Sequence, residues 1–169
     1  MLCALPIHFV RADLIRPNEC HHPEHAAVLA KTILSEQLWR IPVTLERNSF
    51  SVMDGHHRVE AARILQLKYI PCLFLDYDQV KVSASRQDYI VTPQEIVRRA
   101  KAGELYPPKT TRHLFPSPLP TCNISFLLLR IIPYCKSESV VPSKSIDSSV
   151  LAKFREVVFS RPQFPIVSN

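Results

Sequence analysis

Apolar positions in the first 130 residues recur at the spacing of helices in some stretches and of strands in others. Pro23 stands at a first helical position, and it precedes a helical apolar stripe: Ala26, Leu29, Ala30, Ile33 and Leu34. Thr92-Pro93-Gln94-Glu95 is a capping box with proline at the first helical position. It predicts a second helix that ends near Gly103.

Four short apolar stretches predict strands: residues 7–15, 41–46, 50–53 and 69–75. The second and third are expected to pair around the polar turn at 47–49, and the fourth to be buried, with Cys72 inside the core. A third helix is predicted directly after the third strand, over residues 55–65. The chain therefore has a mixed α+β pattern with short strands and no visible internal repeat.

The sequence changes character after about Arg130. Residues 136–149 are rich in serine and lysine and resemble a linker. Residues 150–159 could form one short amphipathic helix before a loose terminus. We therefore expect one domain over residues 1–130 and a linker with a poorly defined tail over residues 131–169, to which no chemistry is assigned.

Composition narrows the class of protein but not its partner. A chain of 169 residues can form one domain with a real core, and 46% hydrophobic and 21% charged residues are typical of a soluble globular protein. The net charge of +6 suits anionic ligands or nucleic acid, but it is modest and scattered.

The cysteines and the apolar segments indicate the compartment. Five cysteines without a C-x-x-C pair do not form a disulfide framework or a zinc ribbon, so a reducing cytosol is expected. The N-terminus lacks the features of a signal peptide, and the apolar stretch at 124–132 is too short to span a bilayer and contains Arg130. We expect a cytoplasmic protein without membrane contact.

The most informative motif is Asp54-Gly55-His56-His57-Arg58, where a predicted strand turns directly into a predicted helix. Free backbone N–H groups at a helix N-terminus attract anions. Basic side chains in a first helical turn oppose the helix dipole, unless an anion such as phosphate lies among them. The alternative is a surface turn with solvated charges.

A second donor-rich segment follows Pro107-Pro108. It consists of Lys109, Thr110, Thr111, Arg112 and His113, and it contains no carboxylate. Prolines on both flanks restrict the backbone of this loop. An exposed basic loop would look similar, but two donor-rich segments in one small chain favour a ligand that carries phosphate.

A third group of polar residues resembles a metal site. Cys20, His21, His22, Glu24 and His25 are all possible ligands. Their spacing is too tight for a four-ligand structural zinc site, so a metal is not the favoured interpretation. The two adjacent histidines are expected near the start of the first helix, close to Glu19.

The strand-to-helix motif resembles the signature turn of the ParB/sulfiredoxin superfamily. That turn carries a glycine, two variable residues and an arginine, which correspond here to Gly55, His56, His57 and Arg58. The resemblance extends over roughly residues 7–129. It implies an α+β fold with a small mixed sheet, helices packed on the sheet and a phosphate-binding strand-to-helix turn.

Three branches of this superfamily differ at the turn. Sulfiredoxins carry a catalytic cysteine after the glycine, where this chain has His56. The chromosome-partition branch, which couples CTP binding to DNA clamping, has an acid and two arginines there, and no convincing helix-turn-helix follows the motif here. The free L-serine kinase branch is most similar, because both donor-rich motifs occur in the same order and Arg16-Pro17-Asn18-Glu19 resembles its Pro-x-Glu element.

The resemblance implies phosphoryl transfer from ATP or ADP to the hydroxyl of free L-serine, with Mg²⁺ as the cofactor and O-phosphoserine as the product. Glu19 corresponds to the base that takes the hydroxyl proton. Asp54 corresponds to a second essential carboxylate, which supports Mg²⁺ or orients the nucleophile. Carboxylates suit both roles, since they accept protons and are the oxygen ligands that Mg²⁺ prefers.

The same resemblance assigns the phosphate-binding residues. Gly55 lets the backbone approach a phosphate closely. The side chains expected on the phosphates are His56, His57, Arg58, Lys109, Thr110, Thr111, Arg112 and His113. The branch recognises its amino acid with a Trp-Arg pair, for which Ser85-Arg86 is the nearest candidate here. Ser85-Arg86 lacks the tryptophan of that pair, and Trp39 is expected to pack in the core and not to bind the ligand. The acceptor is therefore expected to be serine or another small hydroxyl compound.

Two other functions use the same phosphate site. A ParB-like regulatory module would bind nucleotide and DNA without phosphotransfer, and its DNA binding would depend steeply on salt. A degenerate relative would bind nucleotide but be inactive.

Overall fold

The longest of the predicted strands, Tyr69–Leu75 (β5), lies inside a four-stranded sheet. It pairs antiparallel with His8–Arg11 (β1) and parallel with Val43–Glu46 (β3), which pairs antiparallel with Val52–Asp54 (β4). The strand order is therefore β1-β5-β3-β4. Six of the seven residues of β5 are buried, as expected for a strand covered on both faces.

This computed structural model describes residues 5–131. All of them belong to a compact unit that spans Met1–Pro133. The predicted linker and tail, with the helix expected at 150–159, lie outside the described residues except for residue 131. The domain division near residue 130 stays a prediction.

The remaining elements complete a mixed α+β fold. The helices are α1 (Pro23–Glu36), α2 (His56–Ile64), α3 (Pro93–Ala102) and α4 (Phe126–Ile131). The other strands are β2 (Leu38–Trp39), β6 (Lys81–Ala84), β7 (Thr111–Leu114) and β8 (Ile124–Ser125), and a short 3-10 helix spans Ala12–Leu14. No helix among the described residues is long and apolar enough to cross a membrane.

Helix α2 connects β4 to β5 and packs against α1. Its buried residues Val59, Ala61 and Ala62 join one hydrophobic core with the sheet residues Leu45 and Ile70. The small alanines allow the helix to lie close to its neighbours. This packing fixes the first turn of α2, and with it the motif at residues 54–58, against the end of β4.

The predicted helix ends are confirmed. Pro23 begins α1, and the Oγ1 of Thr92 accepts a hydrogen bond from the backbone N–H of Glu95 at the start of α3. Only half of the capping box forms, because the Glu95 carboxylate binds arginines one turn further along the helix. Gly103 ends α3 with φ +72°, a conformation that glycine adopts without strain.

Several details differ from the sequence prediction. The first strand is shorter than residues 7–15, because residues 12–14 coil into the 3-10 helix. Phe50 has φ +57°, so the predicted strand at 50–53 begins only at Val52. The antiparallel pair of β6 and β7 was not predicted. Because of this pairing, the second half of the donor-rich segment is a strand and not a loop.

Trp39 and Cys72 are buried as predicted, at 1% and 0% exposure. The indole Nε1–H of Trp39 donates to the carbonyl of Ile41, so its one polar group is satisfied inside the protein. Leu34 is an exception in the predicted stripe of α1, because its side chain is exposed.

The contrast between Ile33 and Leu34 gives a test of this core. Ile33 is 5% exposed and Leu34 is 49% exposed on the same helix. Ile33→Ala should lower the free energy of unfolding by about 2–5 kcal/mol, because it leaves a cavity, whereas Leu34→Ala should cost less than about 1 kcal/mol. Urea unfolding followed by circular dichroism measures both. Equal losses would contradict the packing of α1.

Candidate functional site

The first part of the site is the junction between β4 and α2. Gly55 caps α2 with φ +108°, a backbone conformation that strains any other residue. A Cβ atom at this position would lie 2.8 Å from both Nε and Nη2 of Arg58. Any other residue here would strain the backbone and would also displace the Arg58 guanidinium from its present position.

Asp54 and Arg58 form an ion pair across this junction. The Nη2 of Arg58 donates to Oδ2 of Asp54 at 2.6 Å, and the two residues are one helical turn apart. The Arg58 side chain is 14% exposed, whereas that of Asp54 is 46% exposed. The arginine thus orients a carboxylate that remains open to solvent, and its own buried Nε has no hydrogen-bond partner among the described residues.

Glu19 forms the second part of the site, together with the loop at residues 109–111. Its carboxylate accepts hydrogen bonds from the backbone N–H groups of Lys109 at 2.6 Å, Thr110 at 3.1 Å and Thr111 at 2.8 Å, and from the Thr111 hydroxyl at 2.9 Å. The left-handed φ of +58° at Lys109 helps these successive N–H groups to converge. The sequence of the loop contains no carboxylate, and the fold supplies one from 90 residues earlier.

The two oxygens of Glu19 have different surroundings. Oε2 accepts three of the four hydrogen bonds and Oε1 accepts one. Because each carboxylate oxygen can accept about two, Oε1 keeps capacity for another donor. The side chain is therefore held in one orientation while one oxygen stays available to a ligand.

Backbone contacts hold Glu19 in place from both sides. Tyr106 N–H donates to the carbonyl of Asn18 at 2.8 Å, and Cys20 N–H donates to the carbonyl of Tyr106 at 2.8 Å. Tyr106 is fully buried, its hydroxyl donates to the carbonyl of Ile90, and Arg99 lies 4.3 Å from the centre of its ring. The segment that precedes α1 is thereby tied to the segment that follows α3.

Both parts of the site line one cleft of about 430 Å³. Among the predicted site residues, those that line it are Glu19, Asp54, Gly55, His56, His57, Arg58, Lys109, Thr111 and Arg112. Thr110 and His113 do not line it. Thr110 is buried and its hydroxyl donates to the carbonyl of Pro107, so its side chain supports the loop and is not exposed to a ligand.

His113 lies behind the cleft. Its Nε2 is 3.2 Å from the Tyr77 hydroxyl, and its ring stacks with those of Tyr77 and Phe115. Burial, with a smaller effect of the neighbouring His56, lowers the pKa of His113 to about 4, against the opposing charges of Glu19 and Asp54. His113 is therefore a neutral packing residue at neutral pH.

His56 is also neutral at neutral pH. Burial lowers its pKa to about 4, although the charge of Asp54 acts in the opposite direction. Its Nε2 is buried without a hydrogen-bond partner among the described residues. A buried nitrogen without a partner is costly, which makes it a suitable contact for a bound polar group.

His57 belongs to a cluster of four imidazoles with His21, His22 and His25. Their ring centres are 5.3–6.3 Å apart, and the His22 backbone N–H donates to Nε2 of His57 at 3.3 Å. Burial and the other imidazoles lower the pKa of His57. Within residues 5–131 no group of three or more histidine, cysteine or acidic side chains is arranged to hold a metal ion.

Some residues at the cleft were not predicted to belong to it. Leu29 from α1 and Met53 from β4 contribute apolar surface, and Cys20 is a free, exposed thiol beside Glu19. Ser85, which with Arg86 is the nearest candidate in the sequence for recognition of the amino acid, lines the cleft, and its N–H donates to the carbonyl of Thr110. The Arg86 guanidinium donates to the carbonyl of Pro108. The pairing of β6 with β7 brings Ser85 and Arg86 next to the loop at 108–110, and no sequence motif predicts that pairing.

Comparisons with known proteins give similarity mainly at the level of structure. No protein-family profile matches the chain. A curated ParB-like protein of Sulfolobus acidocaldarius is 33% identical over 57 residues, which are 34% of this chain. The chain thus covers 29% of the length of that relative.

Two groups of solved structures have a similar fold. A free serine kinase in complex with AMP has a TM-score of 0.69 at 15% identity, over 75% of this chain and 95% of that chain. A variant free serine kinase in complex with ADP has a TM-score of 0.68 with the same identity and coverage. C-terminally truncated SbnI from Staphylococcus aureus has a TM-score of 0.69 at 13% identity, over 90% of this chain and 95% of that chain. The predicted α+β fold with a small mixed sheet is confirmed.

The two histidines with a pKa lowered to about 4 predict how stability depends on pH. An unfolded histidine has a pKa near 6.5, so His56 and His113, at about 4, are less easily protonated in the folded state. Their contribution is fully present above about pH 6.5 and is lost as the pH falls toward 4. Between pH 7.5 and 5 we expect a loss of about 2 kcal/mol for each ring.

Urea unfolding at several pH values measures this loss. His56→Gln and His113→Gln should each flatten the slope between pH 7.5 and 5, and the double variant should remove most of it. An unchanged slope in the double variant would contradict the burial of these two rings.

Proposed function

From the ParB/sulfiredoxin-type fold and the geometry of the cleft, we propose that this chain is a nucleotide-dependent kinase. It phosphorylates the hydroxyl of free L-serine, or of a similar small hydroxyl metabolite, to give O-phosphoserine. The observation that carries the proposal is the single cleft in which Glu19 and Asp54 meet the donors of two distant segments. Phosphoryl transfer needs this combination of a proton acceptor and positioned positive charge.

The cleft has the donors that a polyphosphate requires. Lys109 and Arg112 both line it, and neither forms an ion pair with a carboxylate among the described residues. Gly55 makes room for the Arg58 guanidinium at the first turn of α2, and the buried His56 Nε2 and Arg58 Nε lack partners among the described residues. Unpaired cations and unsatisfied donors beside a glycine turn fit a phosphate group better than a neutral ligand.

Glu19 is proposed as the base. Its Oε1 takes the proton of the acceptor hydroxyl while the hydroxyl oxygen forms a bond to the terminal phosphorus of the donor. The bond from that phosphorus to the bridging oxygen breaks, and the nucleotide leaves with the electron pair, as ADP from ATP or as AMP from ADP. The backbone N–H groups at 109–111 hold the carboxylate toward the reacting oxygen, which lowers the entropy cost of the step.

Asp54 is proposed to support Mg²⁺. Arg58 donates to Oδ2 of Asp54, which lines the cleft, and Oδ1 is not part of this ion pair. Mg²⁺ in phosphoryl-transfer sites is commonly held by one or two carboxylates and the substrate phosphates, so a single aspartate fits. When bound, the ion neutralises charge that develops on the transferred group.

The comparisons support a nucleotide more strongly than a particular acceptor. Similar structures were solved as free serine kinases with AMP or ADP, so we propose ATP or ADP as the donor. The acceptor rests on the paired motifs of the sequence and on the chemistry of the cleft. Location in the cytoplasm stays a prediction from the cysteine pattern.

The direct test is incubation of the protein with L-serine, Mg²⁺ and either ATP or ADP, with O-phosphoserine measured by mass spectrometry. Glu19→Gln should lower kcat by about 10²–10⁴-fold, because it removes the base. Asp54→Asn should lower the rate and raise the Mg²⁺ concentration needed for half-maximal activity. Glu36→Gln, on the exposed end of α1 and outside the cleft, is the matched control and should keep full activity.

The outcome that would contradict a kinase is equally specific. If no phosphoserine forms with either donor, while DNA binding is strong, nucleotide-dependent and steeply reduced by salt, the protein is a ParB-like binding module. Nucleotide binding without either result indicates an inactive relative.

The two glycines of the described residues provide a matched pair for the phosphate site. Gly55 and Gly103 both have positive φ, but a Cβ atom meets the Arg58 guanidinium only at Gly55 and open space at Gly103. Both alanine variants should lose about 1–3 kcal/mol of stability from backbone strain. Only Gly55→Ala should also weaken ATP or ADP binding, by roughly tenfold or more, in isothermal titration calorimetry. Similar weakening in both variants would contradict a phosphate at Gly55.

A further inference from the structure

A second cleft of about 340 Å³ lies beside the proposed kinase site. Its walls come from residues 15–17, from α2 and from the end of α3, and Leu105 and Val59 contribute apolar surface. Glu19 and His56 line both clefts. The second cleft is therefore adjacent to the proposed base and is not an isolated surface groove.

Helix α2 separates the two clefts. His56, Glu60 and Arg63 are spaced by four and then three residues, so they lie along one face of the helix. All three line the second cleft, whereas Arg58 lines only the first. A ligand in the second cleft would therefore contact the other side of α2 from a ligand that is bound at Arg58.

The second cleft carries both signs of charge. Glu60 and Arg63 form an ion pair at 3.2 Å, and Arg16 supplies another guanidinium. Within residues 5–131, Arg16 pairs with no carboxylate. Besides Glu19 in the shared wall, the cleft has one carboxylate, Glu60, and two guanidiniums. This set complements a zwitterion, because a carboxylate binds an ammonium group and an unpaired guanidinium binds a carboxylate.

We propose that the second cleft binds the amino-acid end of the phosphoryl acceptor. This inference rests on the proposed kinase function and deepens it. Glu60 receives the α-ammonium group, Arg16 with Arg63 receives the α-carboxylate, and the hydroxyl is directed to Glu19 in the shared wall. His56 lies in the same wall and is shared by the two clefts.

The arrangement agrees with the geometry of phosphoryl transfer. The attacking and leaving oxygens lie roughly in line on opposite sides of the phosphorus, so the acceptor and the nucleotide must approach from different sides. Two clefts that meet at Glu19 provide such approaches. The rival location for the acceptor is the first cleft near Ser85, with Arg86 beside it.

Kinetic constants for paired variants test this assignment in the intact protein. Glu60→Gln and Arg16→Leu should each raise the KM for L-serine by about tenfold or more, with the KM for the nucleotide changed less than about twofold. Glu36→Gln and Arg40→Leu are matched controls, because they break a similar ion pair between the end of α1 and the residue after β2, and neither residue lines a cleft. Arg86→Leu tests the rival location.

Acceptor analogues separate the two charged contacts. Ethanolamine lacks the carboxylate and 3-hydroxypropionate lacks the ammonium group. Arg16→Leu should therefore lose activity on L-serine but not further on ethanolamine, and Glu60→Gln should lose activity on L-serine but not further on 3-hydroxypropionate. A change in KM that is the same for all three acceptors would overturn the assignment.

A binding measurement distinguishes failure of this inference from failure of the kinase proposal. Titration of the ¹⁵N-labelled protein with L-serine, with and without ADP, should shift the amide signals of residues 15–17 and 60–63. If L-serine is phosphorylated but these signals stay unchanged, or Arg86→Leu alone raises the KM for L-serine, the inference is wrong and the kinase stands. If these signals shift but no phosphoserine forms, the cleft binds the amino acid and the kinase proposal fails.

Discussion

The carboxylate of Glu19 joins two parts of the chain that are 90 residues apart, and most of the site depends on that contact. Three successive backbone N–H groups of the loop at 109–111 point at it, and the Thr111 hydroxyl completes the set. Removing the carboxylate would leave several partly buried donors without an acceptor, which is expensive. The loop has its observed shape because its backbone N–H groups surround the Glu19 carboxylate. The side chains of Lys109 and Arg112 are not needed for this contact, and they line the cleft.

This contact changes the interpretation of the donor-rich loop. From the sequence, all five polar side chains at 109–113 are expected on a phosphate. In the structure the backbone of the loop binds Glu19, Thr110 and His113 support the fold, and Lys109 and Arg112 carry the remaining free charge. A similar division of roles occurs at the start of α2, where Arg58 orients Asp54 and His56 is neutral through burial. Few of the basic residues are therefore both charged and directed into the cleft, which limits where a phosphate can lie.

The two clefts on either side of α2 give the proposed reaction a spatial order. Donors for phosphate lie on the side of Arg58, and a mixture of both charges lies on the side of Glu60. His56, in the first turn of the helix, and Glu19 line both clefts. A short helix fixed by small buried alanines can separate two ligands in this way because its backbone lies close to the sheet.

Local patterns in the sequence were sufficient for the main helices, the central strand and the strand-to-helix turn. Proline at a first helical position, glycine at positive φ and an apolar run each act within a few residues, so they can be read directly from the chain. The ladder between β6 and β7, the neutral state of His56 and the partner of the loop at 109–111 could not be read in this way. Each depends on groups that are distant in the chain, and only tertiary packing sets the burial that shifts a pKa and the approach that brings Glu19 to its donors.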